Sequence, residues 1–203
     1  MNDKSDAENV IAATRIWLER AVIGLNLCPF AKPVHLHDRI RYFVSAARSP
    51  RELLEDLMTE LHALDAADPE QCETTLLVHP HVLGDFLDYN DFLAQADDAV
   101  AELGLQGVIQ VASFHPRYQF EDAEPDDIGN YTNRSPYPML HLLREASVER
   151  AVTTYPDTTS IYRNNIETLR RLGHEGWRRL WLAEAPREPQ ARAASKKAAD
   201  PEQ

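Results

Sequence analysis

Two histidine–proline pairs are candidates for a catalytic or metal-binding role. His79-Pro80-His81 and His115-Pro116 each follow a short apolar run. Histidine titrates closest to neutral pH, so His79 and His115 are candidate general bases in a catalytic site. Imidazole also binds zinc, iron and copper, but no H-E-x-x-H or similar spacing accompanies these histidines. Hydrogen bonding at the ends of strands is the alternative role, and the sequence leaves any metal or cofactor unknown.

Several polar side chains could hold an anion, because the planar guanidinium group of arginine pairs well with carboxylate or phosphate. The predicted ligand-binding residues are Arg48, Arg117, Asn133 and Arg134. Two of them belong to a polar segment, residues 130–136, that leads into a predicted helix, and helix N-termini attract anions. The segment lacks a glycine-rich phosphate loop, so hydrogen bonds that order the loop are an open alternative.

Cys28 is a third kind of candidate, a nucleophile or redox thiol. It lies in the segment LNLCPFAKP, just after a predicted helix. The partial negative charge of a helix C-terminus raises the pKa of a thiol, whereas a nearby Lys32 or histidine would lower it. A buried structural thiol is the alternative. Cys28 would reach the other candidates only if residues 27–38 fold over them.

Local patterns predict the elements that position these residues. Aromatic and β-branched residues predict strands at residues 40–46, 74–79 and 107–113. Apolar spacing and N-terminal signals predict helices at residues 5–27, 49–64, 91–103, 135–152 and 157–182. Ser49 and Glu52 have the spacing of a capping box. Residues 114–134 show little periodicity and are predicted to form a long loop.

The predicted order is α-β-α-β-α-β-loop-α-α. Strands that alternate with helices indicate an α/β fold with a small, mostly parallel sheet of three or more strands and helices packed on it. The carboxyl ends of parallel strands share one edge, where ligands of open α/β sheets bind. We therefore expect one rim to be formed by Arg48, His79, His115, Arg117, Asn133 and Arg134. Residues 1–184 are predicted to be a single domain, and residues 185–203 a disordered tail.

Composition restricts the class of protein. The 203 residues carry a formal net charge of −12, which disfavours nucleic acid as the main partner. No apolar run reaches the ~18 residues of a membrane span, and the first residues are polar. Two cysteines without C-x-x-C spacing favour a reducing compartment, so we expect a soluble, cytoplasmic protein. Residues 52–116 contain fourteen aspartates and glutamates and no lysine or arginine.

Three stretches resemble a known family. They are WLERAVIGLNLCPFAKPV at residues 17–34, HPHVLGDFLDYNDFL at residues 79–93 and SFHPRYQFEDAEPDDIGNYTNRSPYPMLHLLREASVERAV at residues 113–152. The chain is similar to the bacterial DUF1415 family of uncharacterised proteins over roughly residues 7–182. The resemblance implies no activity, cofactor or catalytic residue.

Two hypotheses about function stay open at this point. The first is a small-molecule enzyme or ligand-binding domain that takes an anionic ligand, carboxylate or phosphate, at the rim. Its candidate catalytic residues are His115, His79 and Cys28. The second is a non-catalytic interaction protein whose acidic helices, residues 52–64 and 91–103, face a basic partner. The sequence does not decide between an enzyme and a binding protein, and it leaves the oligomeric state open.

Overall fold

The computed structural model describes residues 3–154 and 158–182. The predicted disordered tail and Asp157, the predicted N-cap of the last helix, lie outside the described residues. Six α-helices, one π-helical turn and one short 3-10 helix are described. The α-helices are α1 (Asp3–Trp17), α2 (Ala31–Leu36), α3 (Pro50–Ala66), α4 (Phe86–Glu102), α5 (Glu145–Thr154) and α6 (Thr158–Leu182). No described helix is both long enough and apolar enough to cross a membrane.

Four strands form one sheet in the order β1-β2-β4-β3. The strands are β1 (Ile40–Val44), β2 (Thr74–Val78), β3 (Ile109–Phe114) and β4 (Met139–Arg144). β1 and β2 are parallel, whereas β4 is antiparallel to both β2 and β3. The sheet is therefore mixed, and the prediction of a mostly parallel sheet is wrong. The predicted element order is also wrong, because residues 139–144 form strand β4 within a segment whose sequence predicts a helix.

β4 occupies the first half of the segment 135–152 that the sequence predicted as one helix. Leucine and methionine favour helices, and a short apolar run does not distinguish a buried strand from a helix by periodicity. Met139, Leu140 and Leu142 are fully buried between two neighbouring strands. Pro138 precedes the strand, and helix α5 begins directly after it at Glu145. Tertiary burial on both faces of the sheet thus overrides the helical preference of these side chains.

The carboxyl ends of β1, β2 and β3 still lie at one edge, although the sheet is mixed. β1, β2 and β3 all point the same way, because β4 runs against both β2 and β3. The carboxyl ends of three strands therefore lie beside the start of β4. Two backbone hydrogen bonds join the ends of β2 and β3 to the segment that precedes β4. The His79 N–H donates to Pro138 O at 3.0 Å, and the His115 N–H donates to Asn133 O at 3.2 Å.

Helices cover both faces of the sheet. On one face, α3 and α4 pack with Leu77 and Leu140 in one apolar cluster. On the other face, α1, the π-helical turn (Leu18–Ile23) and α6 pack with Leu76 and Met139 in a second cluster. The predicted capping box of α3 is confirmed, since the Glu52 N–H donates to Ser49 Oγ at 3.3 Å.

Some boundaries differ from prediction. Helix α4 begins at Phe86, because the Asp85 carboxylate accepts a hydrogen bond from the Leu87 N–H at 2.9 Å and caps the helix. Residues 27–38, where the sequence predicts no helix beyond residue 27, contain α2, and the predicted long loop contains a 3-10 helix at Ile128–Thr132. Helix α6 is broken at Gly173, whose φ of 65° and ψ of 172° are not helical.

Candidate functional site

The two candidate catalytic histidines lie on either side of one buried tyrosine. The rings of His79 and Tyr89 stack with centroids 5.8 Å apart, and those of His115 and Tyr89 lie 5.1 Å apart. Phe86 contacts His115 at 5.4 Å. We call His79, Phe86, Tyr89 and His115 the histidine cluster. Both imidazoles have no solvent exposure, so the structure brings them together in the core and away from solvent.

Both ring nitrogens of His115 are already used. Its Nδ1 accepts a hydrogen bond from the Arg117 N–H at 3.0 Å, so Nε2 carries the proton and donates to Leu83 O at 3.2 Å. Burial lowers the pKa of His115, and the hydrogen bond to Leu83 opposes that shift. The neutral ring is thus fully paired, and it has no free lone pair with which to act as a base in this geometry.

His79 has one free nitrogen. Its Nδ1 is the proton donor to Val82 O at 3.1 Å, which leaves Nε2 unprotonated. Within the described residues, Nε2 is buried and has no hydrogen-bond partner. Burial lowers the pKa of His79 to about 4, and the nearby His115 adds to that effect. His79 is therefore neutral at pH 7, but its lone pair does not face solvent.

The two histidines and Arg117 hold the turn between β2 and α4. The imidazoles bind the Val82 and Leu83 carbonyls, and the Arg117 guanidinium donates to Gly84 O at 2.5 Å. Leu83 has a φ of 54°, a conformation that costs a non-glycine residue roughly 1–3 kcal/mol. These three bonds can stabilise that strained turn. The observed geometry supports a structural role for the histidine cluster.

A groove lies at the same edge of the sheet, on the face covered by α1 and α6, and encloses about 420 Å³. We call it the Arg134 groove. Its lining residues are Pro116, Tyr131, Arg134, Ser135, Pro136, Trp177, Arg178 and Trp181. Pro116 follows the end of β3, and Pro136 lies just before β4. The groove thus contains one residue of the predicted anion-binding set, together with aromatic residues that the prediction did not include.

Arg134 is half-buried and lines this groove. Its Nε donates to Tyr118 O at 3.2 Å, and its Nη2 donates to Pro125 O at 2.6 Å. The guanidinium carbon lies 4.2 Å from the centre of the Tyr131 ring. A guanidinium has five N–H groups, so about three remain for a ligand. Among the described residues, no carboxylate forms an ion pair with Arg134, so its positive charge lacks a counterion there.

Three aromatic rings form one wall of the groove. Tyr131 and Trp177 have centroids 5.1 Å apart at 81°, and Trp177 and Trp181 are 5.7 Å apart at 69°. Trp177 and Trp181 are four residues apart on α6, so both side chains lie on one face of the helix.

The π-helical region fixes both sides of the groove. Trp17, at its start, donates from Nε1 to Arg134 O at 2.9 Å, and Arg20 donates to Leu180 O at 2.8 Å. The first bond holds the loop that carries Arg134, and the second holds the end of α6. Extra residues per turn in a helix are often found near functional sites. The groove is therefore built from three separate parts of the chain.

Among the described residues, the charged side chains that line the groove are both arginines, although the chain as a whole is acidic. Arg178 lines the groove, and both Arg178 and Arg179 share the single carboxylate of Glu175, at 3.0 and 3.2 Å. With Arg134 added, these four side chains carry three positive charges and one negative charge. Within the described part of the chain, the lining contains no aspartate, glutamate, histidine, cysteine or lysine. A small anion is the ligand that this charge favours.

The remaining predicted site residues lie elsewhere. Asn133 does not line the groove, and its side-chain amide donates to Ser113 O at 3.1 Å. Arg48 is exposed beside the start of α3. Cys28 packs against the apolar cluster around Trp17, and burial raises the pKa of its thiol. The structure therefore does not unite Arg48, His115 and Arg134 in one cleft.

No group of three or more histidine, cysteine, aspartate or glutamate side chains in the described residues could hold a metal ion. The histidine cluster contributes only two such side chains. A metal site built on these histidines thus has no support from residues 3–154 and 158–182.

Comparison with protein families agrees with the resemblance seen in the sequence. The family model described as "Protein of unknown function (DUF1415)" matches residues 9–179. The chain belongs to the DUF1415 family. No curated protein and no solved structure matches it. The family assignment carries no activity, so the function of this DUF1415 protein must be argued from its own geometry.

Sequence reasoning identified Arg134 but missed the aromatic wall. Tryptophans in an amphipathic helix are expected to be packing residues, and Trp177 is one at 8% exposure. Trp181 is only partly buried and lines the groove. The one signal was the spacing W-R-x-x-W, which places two indoles and Arg178 on neighbouring helix positions. Its partner Tyr131 is about 46 residues away in sequence, and only the tertiary fold brings the two together.

Proposed function

We propose that this DUF1415 protein binds a small anionic molecule, a carboxylate or a phosphate, in the Arg134 groove. The observation that carries the proposal is the half-buried guanidinium of Arg134, which has no carboxylate partner among the described residues and about three N–H groups to spare. Charged groups removed from water are normally paired. A bound anion would supply that pairing and use the remaining donors.

The lining favours binding over acid–base catalysis. General acid–base chemistry needs a titratable group within about 3 Å of the reacting proton. The described lining offers guanidinium groups, aromatic rings, prolines and the Ser135 hydroxyl, which donates to Tyr137 O at 2.6 Å. His79 and His115 are enclosed in the core. A ligand-binding domain is therefore the better-supported form of the proposal, and a cytoplasmic location agrees with the two free cysteines.

The test compares benzoate binding to the wild-type chain and to an Arg134→Gln variant by isothermal titration calorimetry. Hydrogen bonds to charged groups contribute about 1.5–3 kcal/mol, so the substitution is expected to weaken binding roughly 10- to 100-fold. An Arg134→Lys variant keeps the charge and loses the planar fork, so its affinity should fall between the two.

Arg171→Gln is the matched control, because Arg171 lies on the same helix α6, is exposed and does not line the groove. Its affinity for benzoate should equal that of the wild type. Benzamide has the same shape as benzoate without the charge and should bind much more weakly. The proposal would be refuted if benzoate and benzamide bind equally. It would also be refuted if Arg134→Gln and Arg171→Gln lose the same affinity at unchanged melting temperatures.

A further inference from the structure

We infer that the ligand of the Arg134 groove is an aromatic carboxylic acid, a flat ring system that carries one carboxylate. This inference rests on the proposed function and narrows it to one chemical class. It is argued from three features of the groove. These are the aromatic wall, the Arg134 N–H groups that have no partner, and the polar groups that already form hydrogen bonds within the protein.

The aromatic wall has room for a stacked ring. Tyr131, Trp177 and Trp181 meet one another at interplanar angles of 69° and 81°, so they contact edge to face. Among the described residues, no aromatic ring stacks flat on Trp181. Aromatic pairs favour offset-stacked as well as edge-to-face contacts. A flat ligand ring can take the stacked position against the half-buried indole of Trp181.

The arginine presents a carboxylate-sized set of donors beside that wall. Arg134 uses Nε and one N–H of Nη2 for loop carbonyls, which leaves Nη1 and the second N–H of Nη2. Two N–H groups of one guanidinium match the two oxygens of a carboxylate. The guanidinium itself stacks on Tyr131, 4.2 Å from the ring centre, which fixes its plane. The anionic group and the ring of the ligand would thus contact neighbouring surfaces of one groove.

The groove is suited less to a nucleotide. A nucleobase presents polar edges that need donors and acceptors from the protein. Two polar groups of the wall are already paired: the Ser135 hydroxyl donates to Tyr137 O, and Arg134 O accepts from Trp17 Nε1. Leaving the polar edges of a base unpaired costs about 1–3 kcal/mol for each group. A volume of about 420 Å³ is at the small end of ligand pockets, which suits a bicyclic acid.

The experiment compares two bicyclic acids that differ only in aromaticity. 2-Naphthoate and its saturated analogue, decahydronaphthalene-2-carboxylate, are titrated into the 203-residue chain at the same pH and ionic strength. Stacking contributes about 0.5–1.5 kcal/mol beyond area burial, so naphthoate is expected to bind roughly 2- to 13-fold more tightly. Adenosine monophosphate is the third probe and is expected to bind more weakly than naphthoate.

Substitutions of Trp181 show where any preference arises. Trp181→Phe keeps an aromatic ring and should keep most of the preference for naphthoate. Trp181→Leu should abolish the preference, so that the two acids bind this variant with similar affinity. Melting temperatures are measured alongside, and an unchanged melting temperature shows that the Trp181→Leu variant is still folded.

Each other outcome overturns the inference in a recognisable way. If both acids bind equally and both lose affinity in Arg134→Gln, the aromatic class is wrong but the anion-binding function stands. If neither bicyclic acid binds while benzoate does, the inference falls and the anion-binding function stands; if benzoate does not bind either, both proposals fall. Tighter binding of adenosine monophosphate would replace the acid with a nucleotide. Polyproline peptides also dock on aromatic grooves, and a proline-rich peptide that outcompetes naphthoate would point to a peptide partner.

Discussion

At the scale of single residues, His79 combines a buried position with an unused ring nitrogen. Its Nδ1 donates to Val82 O, and its Nε2 is buried with no described partner. Protonation would place a charge and an unpaired donor in the core, which explains the lowered pKa. The same residue that looks like a base in the sequence therefore acts as a neutral support for a turn.

The first prediction concerns pH and follows from the His79 pKa of about 4 in the folded chain against 6.5 as the ordinary value. Between these values the unfolded state binds more protons, so the stabilisation is complete above pH 6.5 and is lost as the pH falls towards 4. The shift corresponds to about 3 kcal/mol. Urea unfolding at several pH values should show a smaller pH dependence for His79→Phe than for the wild type. Parallel curves for the two proteins would contradict a buried neutral His79.

Cys28 gives the second prediction, on thiol reactivity. Burial raises the pKa of its thiol, and backbone hydrogen bonds from Phe30 and Ala31 oppose that shift only in part. In a Cys72→Ser background, alkylation by iodoacetamide should be slow and should have a midpoint above the ordinary value of a thiol. A midpoint well below that value would show that the thiolate is stabilised and would support Cys28 as a candidate nucleophile.

At the scale of elements, Gly173 determines where the groove wall points. It separates the first part of α6 from the part that carries Trp177 and Trp181. Its φ of 65° is a conformation that L-residues adopt only with strain. The bonds from Trp17 and Arg20 then fix the two sides of the groove. The position of the aromatic wall thus depends on one backbone conformation.

The third prediction is that Gly173→Ala destabilises the protein by about 1–3 kcal/mol and weakens benzoate binding. Gly84→Ala is the matched control, because a Cβ at Gly84 meets no atom within 4 Å and its φ is ordinary. Thermal unfolding and titration calorimetry measure the two effects. If both alanine variants bind and melt like the wild type, Gly173 does not position the wall.

The fourth prediction separates stability from binding. Ser49→Ala removes the side-chain cap of α3 and should cost about 1 kcal/mol of unfolding free energy. Helix α3 packs on the sheet face opposite the groove, so benzoate affinity should be unchanged. A matching loss of affinity would mean that the groove responds to general stability and not to its own contacts.

The elements also show what could be predicted from the sequence. Ser49-Pro50-Arg51-Glu52 gave the start of α3 because a capping box is a local signal. The leucines of segment 139–144 predict a helix, whereas the burial of this segment between β2 and β3 is a property of the whole sheet. Local signals therefore predicted the start of α3, missed the start of α4 and failed at residues 139–144, where tertiary packing decides the element.

At the scale of the whole molecule, two predictions about arrangement had different outcomes. The carboxyl ends of three strands share one edge, as expected, although the sheet is mixed. The expected single rim is divided: His79 and His115 lie on the side of α4, and Arg134 lies on the side of α6. The sequence places residues at strand ends, but the face on which each side chain lies depends on register and loop path.

Charge is likewise uneven over the molecule. The chain has a formal net charge of −12, yet the groove is lined by two arginines and no described acid. A local positive site on an acidic protein attracts anions only at short range, because salt screens charges beyond about 8–10 Å. The acidic surface of α3 and α4 stays available to a basic partner as a separate proposal, and it does not overlap the groove.

Binding of an anion in the Arg134 groove can be tested by a benzoate titration followed by NMR of the ¹⁵N-labelled 203-residue chain. The indole N–H signals of Trp177 and Trp181 are expected to shift with saturation, while the backbone amides of His79 and Leu83 do not move. Shifts at His79 and Leu83 with unmoved Trp177 and Trp181 signals would place the anion at the histidine cluster and contradict the Arg134 groove as the binding site.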